Sequence, residues 1–280
     1  MPTHERPALI EPRKGRREDP LPPLALVVFT SQDLESLCRV HAGATRRDRT
    51  LFLADVRILG GSYGEVACVG PMIGAPQAAM VLEKMIALGV RRVVTLGWCG
   101  SLQPGVRIGD VVLPTGAFSE EGTSLHYLED PGKAAPSTRI LGVLREKSRE
   151  TGLVFHEGKV WTTDAPYRET ASKVRLYGEA GALAVEMETS ALFSVAHFRG
   201  IELATVLVVS DELFGGKWTH GFREARFHRA REKLVEWVLE AVAGLWEAFP
   251  EGRDPDHRQT DGPVEGPARQ AASGSEPTTS

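Results

Sequence analysis

The sequence predicts an α/β protein, with one domain whose mostly parallel sheet is covered by helices on both faces. Three observations predict it. Short apolar runs such as Leu24–Phe29, Val90–Leu96 and Leu203–Val209 recur along the chain and read as buried strands. Segments with helical apolar spacing lie between them. The chain has 280 residues, 42% hydrophobic and 25% charged, which is room for one large soluble α/β domain.

In chain order, Leu24–Phe29 reads as the first strand, Gln32–His41 as a helix and Val66–Val69 as a second strand. Gly74-Ala75-Pro76 opens a helix over about 77–88, with Met80, Val81, Met85 and Leu88 on its apolar side, and Gly89 stops it. Val90–Leu96 is a strand ended by Gly97-Trp98-Cys99-Gly100, and Gly109-Asp110 turns into the strand Val111–Pro114. Ser137–Thr151 reads as a helix, Val154–Trp161 as a strand and Ala171–Ala180 as a helix. Leu183–Met187 is a strand end leading into the helix Thr189–Arg199. Leu203–Val209 is a central strand, and Phe222–Phe249 a long amphipathic helix with Phe227, Leu234, Val238, Val242 and Leu245 on its apolar stripe. The domain therefore covers 23–249. Residues 1–22 and 250–280 are rich in Pro, Gly, Ser and charge and read as disordered tails. The Arg13–Arg17 basic cluster falls in the first and reads as solvated.

Bulk properties exclude several classes. A net charge of -4 and a pI near 6.1 argue against an electrostatic nucleic-acid binder. No apolar run reaches roughly 18 residues, so no membrane helix is expected. Met1–Glu18 has no apolar core of a secretory signal, and a cytoplasmic location is expected. Cys38, Cys68 and Cys99 are odd in number and lack metal spacing, and they read as reduced buried thiols. No Gly-x-Gly-x-x-Gly follows the first strand, which excludes a dinucleotide-binding dehydrogenase.

The residues that carry chemistry cluster late in the chain. In Ala184-Val185-Glu186-Met187-Glu188, two carboxylates alternate across Met187 and suit paired hydroxyls, since a carboxylate accepts several hydrogen bonds. Either acid can instead serve the dipole of the following helix. Val206–Val209 stops at Ser210-Asp211, and Asp211 suits a group that needs a proton, or is an N-cap. Gly97–Ser101 reads either as a turn that lets a ligand approach the backbone or as a plain strand-to-loop turn. His126, in Glu121-Gly122-Thr123-Ser124-Leu125-His126, reads more readily as surface than as site. Trp161 suits stacking on a flat ring or capping of the core, and Asp164 a helix cap.

Taken together, these stretches resemble the nucleoside phosphorylase family of purine nucleoside phosphorylases, uridine phosphorylases and related nucleosidases. The resemblance spans about 24–245 and rests on Gly74-Ala75-Pro76, Gly97–Gly100, Glu121–His126, Val185–Glu188 and Val209-Ser210-Asp211. It implies a single α/β domain with a central mixed, partly barrel-like sheet flanked by helices, and a homodimer-based oligomer. It places Glu186, Met187 and Glu188 at the ribose, Trp161 and Ser210 at the base, and Asp211 as the acid that protonates the leaving base. Arg223 falls one residue out of step with an arginine that assists that acid. Thr30, Thr95, Gly97 and Trp98 mark the region of the phosphate or other nucleophile.

The chain departs from the family there. The Gly-Asp-Pro-x-Arg-like loop is replaced by Phe29-Thr30-Ser31-Gln32-Asp33-Leu34, Thr95 stands for an arginine, and Trp98 for a Ser or Thr. Arg46, Arg47, Arg49 or Arg57 are candidate replacements for the missing charge. Gly122–His126 looks uridine-phosphorylase-like, whereas Ser210-Asp211 looks purine-like. The expected activity is cleavage of the N-glycosidic bond of a purine nucleoside, by phosphorolysis ahead of hydrolysis because phosphorolysis is commoner in the family. Inorganic phosphate is then a co-substrate, and no metal or cofactor is implied. A nucleosidase, a uridine phosphorylase and a non-catalytic nucleoside binder are the alternatives.

Overall fold

The structure is a computed structural model that describes residues 8–41, 43–61 and 64–249. The expected tails at 1–7 and 250–280 lie outside the described residues.

Ten strands form one sheet: β1 (Leu24–Val28), β2 (Ala44–Leu51), β3 (Ala54–Gly61), β4 (Gly64–Gly70), β5 (Arg92–Ser101), β6 (Val111–Ser119), β7 (Phe155–Thr162), β8 (Ala182–Glu186), β9 (Glu202–Glu212) and β10 (Thr219–His220). Their order is β10-β9-β6-β7-β8-β5-β1-β4-β3-β2, and β9 also pairs with β5. That extra pairing closes β5, β9, β6, β7 and β8 into a five-stranded barrel. The sheet is mixed: β1 runs parallel to β4 and β5, while β5–β8, β6–β9 and β2–β3–β4 are antiparallel.

Six helices cover it: α1 (Ser31–Val40), α2 (Ala75–Ala87), α3 (Thr138–Thr151), α4 (Ala171–Glu179), α5 (Thr189–Arg199) and α6 (Ala225–Ala248). One apolar core joins α2 and α5 to the sheet through Val81, Met85, Leu192, Phe193 and Val209. A second joins α1, α3 and α6 through Leu34, Leu144, Phe227, Leu234 and Val238.

Three expectations are corrected here, and one hairpin was not foreseen. Gly97–Ser101 is not a turn but the end of β5. These glycines answer to packing rather than to φ: a Cβ on Gly97 would lie 2.8 Å from Phe29 Cδ2, and one on Gly100 2.4 Å from Leu213 Cδ1. Strand β9 likewise runs on through Ser210 and Asp211, so Asp211 is no N-cap. Helix α6 begins at Ala225, leaving Arg223 in the preceding turn. The hairpin β2–β3 went unpredicted, because Ala44–Leu51 is charged and mostly exposed, with no apolar alternation to read.

Residues 8–22, read from composition as a tail, lie against the domain. Leu21 is buried and its N–H donates to Leu88 O, Lys84 pairs with Glu18 at 2.6 Å, and Arg199 with Glu11 at 3.0 Å.

Candidate active site

Strand β8 ends at Glu186, and after two intervening residues α5 begins at Thr189, so both acids sit where a helix N-terminus leaves amides unpaired. Glu186 answers that need. Its Oε2 accepts from the N–H groups of Glu188 (2.8 Å) and Thr189 (2.7 Å), and its Oε1 from the Thr162 hydroxyl. Thr162 in turn accepts from Ser190 N at 3.0 Å. The Glu186 side chain thus serves the amides at the start of α5, and these donors together with Thr162 occupy both of its oxygens.

Glu188 is different. It makes no cap hydrogen bond, and its Oε1 accepts at 2.6 Å from the N–H of Gly74, the residue before α2. Gly74 holds φ at 79°, a left-handed conformation that glycine adopts freely. Burial, and then the charge of Glu186, push the Glu188 carboxyl up to about 8, against the pull of the Gly74 and Met187 amides. Burial also raises Glu186, but its three donors favour its ionised form, so the proton of the pair rests on Glu188. Met187 lies between them, half-buried.

Asp211 pairs in register with Gly100 of β5 and His220 of β10. Its Oδ1 accepts from Ser210 Oγ at 2.6 Å and its Oδ2 from Trp218 Nε1 at 2.8 Å. The Ser210 hydroxyl also reaches Cys99 O, so Ser210 orients the acid. Arg223 is exposed and makes no ion pair among the described residues; the structure brings Trp218, not Arg223, to Asp211. Glu169, half-buried after β7, is pushed up to about 7 by burial and by the charges of Asp211 and Glu120.

Trp161 is not presented to a ligand. It is fully buried, stacks on Tyr177 at 4.4 Å and 18°, and donates to Glu120 Oε2, which makes it the cap of the core. Its indole packs in one buried apolar cluster with Leu102, Val174 and Leu213. The exposed ring on that segment is Tyr167.

The nucleophile region is also occupied by the chain itself. Thr95 is buried and bonds to Thr205 across β5 and β9 at 2.9 Å, and Gly97 packs on Phe29. Thr30 caps α1, and its hydroxyl donates to Asp33 Oδ2 at 2.7 Å. Trp98 Nε1 donates to the same oxygen at 2.9 Å, and Arg231 pairs with Asp33 Oδ1 at 3.1 Å. Arg46, Arg47, Arg49 and Arg57 are all on β2 and β3, paired with Asp48, Asp55 and Glu65.

The remaining motif, Glu121–His126, is structural at its first residue. Burial pushes Glu121 up, but donors from Ser124, Ser119 and Ser190 outweigh it and hold the carboxyl below its usual range. His126 is exposed and, with Asp164, borders a cavity of about 1040 Å³ between α2, α5 and residues 8–13, which Glu188 and Asp211 do not line. Cys68 and Cys99 are buried and Cys38 half-buried; burial pushes all three thiols up, away from nucleophilic thiolate.

Sequence reasoning missed Asp33, Arg231 and Trp218. The Thr30-x-x-Asp33 spacing resembles a capping box and was a usable signal for the first. Nothing in a single sequence pairs Arg231 with a residue so distant in the chain.

A family model described as the phosphorylase superfamily matches residues 23–243. The chain belongs to that superfamily. Relatives within it include a purine nucleoside phosphorylase (DeoD-type) of Bacillus cytotoxicus, 33% identical over 63% of this chain and 75% of its own length. A guanosine phosphorylase of Halorubrum lacusprofundi is 31% identical over 58% of this chain and 68% of its own. Among solved structures, a purine nucleoside phosphorylase of Toxoplasma gondii in complex with immucillin-H superposes with a TM-score of 0.74 at 20% identity, covering 87% of this chain and 99% of that one. A uridine phosphorylase of Vibrio fischeri superposes at 0.69 and 18% identity, covering 84% and 100%. The superfamily fold, a closed five-stranded barrel flanked by helices, is the one described above.

Proposed function

We propose that this chain cleaves the N-glycosidic bond of a purine nucleoside, with Glu188 holding the ribose diol and Asp211 facing the leaving base. The observation that carries the reading is the contrast between two neighbouring acids. Glu186 is consumed by the α5 amides and the Thr162 hydroxyl, whereas Glu188 caps nothing and is held by the amides of Gly74 and Met187, with no side-chain donor. A buried carboxyl held that way suits paired hydroxyls, which bring it the donors it lacks.

The chemistry follows from charge. As the C1′–N bond lengthens, the sugar gains oxocarbenium character and the base becomes negative. An ionised Glu188 under the ribose stabilises the first, and a hydrogen bond from Asp211 to a ring nitrogen offsets the second. Ser210 holds Asp211 in one orientation for that task, and the Trp218 indole N–H occupies its Oδ2 until a base takes that place. The purine preference rests on Asp211 and on the purine nucleoside and guanosine phosphorylases among the relatives, at 31–33% identity.

The test is free-base release, followed by chromatography, from a panel of purine and pyrimidine nucleosides. Release from guanosine, inosine or adenosine well above uridine is the expected result. Release from uridine alone would select the pyrimidine reading, and binding without release would mean a non-catalytic nucleoside binder.

A further inference from the structure

Granting nucleoside cleavage at Glu188 and Asp211, we propose that the ribosyl acceptor is water rather than inorganic phosphate, because the chain's own Asp33 already occupies the anion site at the N-terminus of α1. Strand β1 lies between β4 and β5 and runs parallel to both, so its carboxyl end opens on the crevice where ligands of α/β sheets bind. Helix α1 starts there, and the first amides of a helix attract an anion. In this chain the anion is internal. The Asp33 carboxylate receives the Thr30 hydroxyl, the Trp98 indole N–H and the Arg231 guanidinium, at 2.7, 2.9 and 3.1 Å.

Asp33 claims most of that network's donors, and its only buried side-chain donor left without a hydrogen-bond partner among the described residues is the Arg231 Nε. Asp33 is 0% exposed and Arg231 8%. The cation buried in the network is thus already neutralised. Trp98 seals it, packing edge-on against Phe227 at 5.0 Å. A phosphate dianion arriving here would meet a buried carboxylate of its own sign and a guanidinium whose charge Asp33 already pairs, where phosphate recognition needs bidentate donors. Thr95, the nearby hydroxyl on β5, is committed to Thr205.

Water needs none of this. It is neutral, and an oxocarbenium-like sugar is captured by it without an anion-binding cradle. In the balanced step, the C1′–N bond breaks with its electron pair remaining on the base. The oxygen of water bonds to C1′, one of its protons ends on the base, and the other remains as the new hydroxyl. The products are free purine and free ribose.

The experiment uses the full chain and measures purine release in phosphate-free buffer and with saturating phosphate, in water enriched in oxygen-18. The expected result is a rate unchanged within about twofold by phosphate, with the label in ribose. Phosphate-dependent release with ribose 1-phosphate as product would overturn the inference while leaving the cleavage reading intact. No release in either buffer would overturn both. Calorimetric titration of the wild-type protein with phosphate is expected to show no saturable binding, and a stoichiometric site would also overturn it. Asp33→Asn keeps the shape, removes the charge and frees Arg231, so phosphate is expected to bind that variant; a folded variant still blind to phosphate would remove Asp33 from its role. Should it not fold, the wild-type measurements decide alone.

Discussion

Glu188 ties its protonation to both binding and stability. With its carboxyl pushed up to about 8, the folded state prefers the protonated form. Its contribution to stability is therefore complete below the ordinary carboxylate value and is lost as pH rises through about 8. Diol binding by the ionised form runs the other way. The kcat/KM of the wild-type protein is expected to climb with pH through about 8, while its Tm declines over the same interval. Glu188→Gln should abolish both trends; a Glu188→Gln profile that keeps the alkaline limb would assign that limb elsewhere. Glu186 makes the opposite case. Glu186→Ala leaves two buried amides and the Thr162 hydroxyl without an acceptor, and a loss of at least about 2 kcal/mol in denaturant unfolding is expected. The sequence showed the two acids and their alternation, but not which one the helix would take. That depends on how the backbone bends through Met187 and Glu188 between β8 and α5.

Elements decide how Asp211 is presented. The segment between β9 and α6 carries Gly215 and Gly216 at φ of 79° and 75°, with open space around both. The two-residue strand β10 follows and brings the Trp218 indole N–H to Asp211. Trp218 is 59% exposed, so the bond is held at the surface, and under the proposed function it would compete with a base for the same carboxylate. Trp218→Phe keeps the ring and removes the N–H. Its KM for nucleoside is expected to fall several-fold with kcat little changed, and an unchanged KM would show that Trp218 is not in competition. Most helices and the buried strands were legible from apolar spacing, α5 to the residue. Strand β10 and the charged β2 were not, because neither carries an apolar pattern. The misreading of Gly97–Ser101 has a different cause: glycine marks a close approach as readily as a turn, and only the positions of Phe29 and Leu213 tell the two apart.

At the scale of the whole molecule, barrel closure through β5–β9 puts Gly100 beside Asp211, while β5–β8 puts it beside Val185 just before Glu186. The two acid motifs, far apart in sequence, meet because one strand pairs with both. The resemblance to a known family carried that barrel into the sequence reading; composition and periodicity alone reach only a covered sheet. The subunit number is a further expectation. Phe52 and Leu53 form the β2–β3 turn at φ of 45° and 74°, conformations costly for large side chains, and are 51% and 87% exposed. Ile73 and Met80 are exposed along the entry and outer side of α2, to which Phe52 O is bonded through Gln77. A second copy covering this face is expected, and light scattering should report a dimer or a multiple of it, with Leu53→Asp shifting the mass downward. A wild-type monomer at working concentration would contradict this. The central claim, that Asp211 and Glu188 form one site for N-glycosidic cleavage, is tested most directly by the kcat/KM of Asp211→Asn against wild type on the best purine nucleoside of the panel. A fall of about 10²–10⁴ at unchanged Tm is the expected result; equal rates in the two proteins would contradict it.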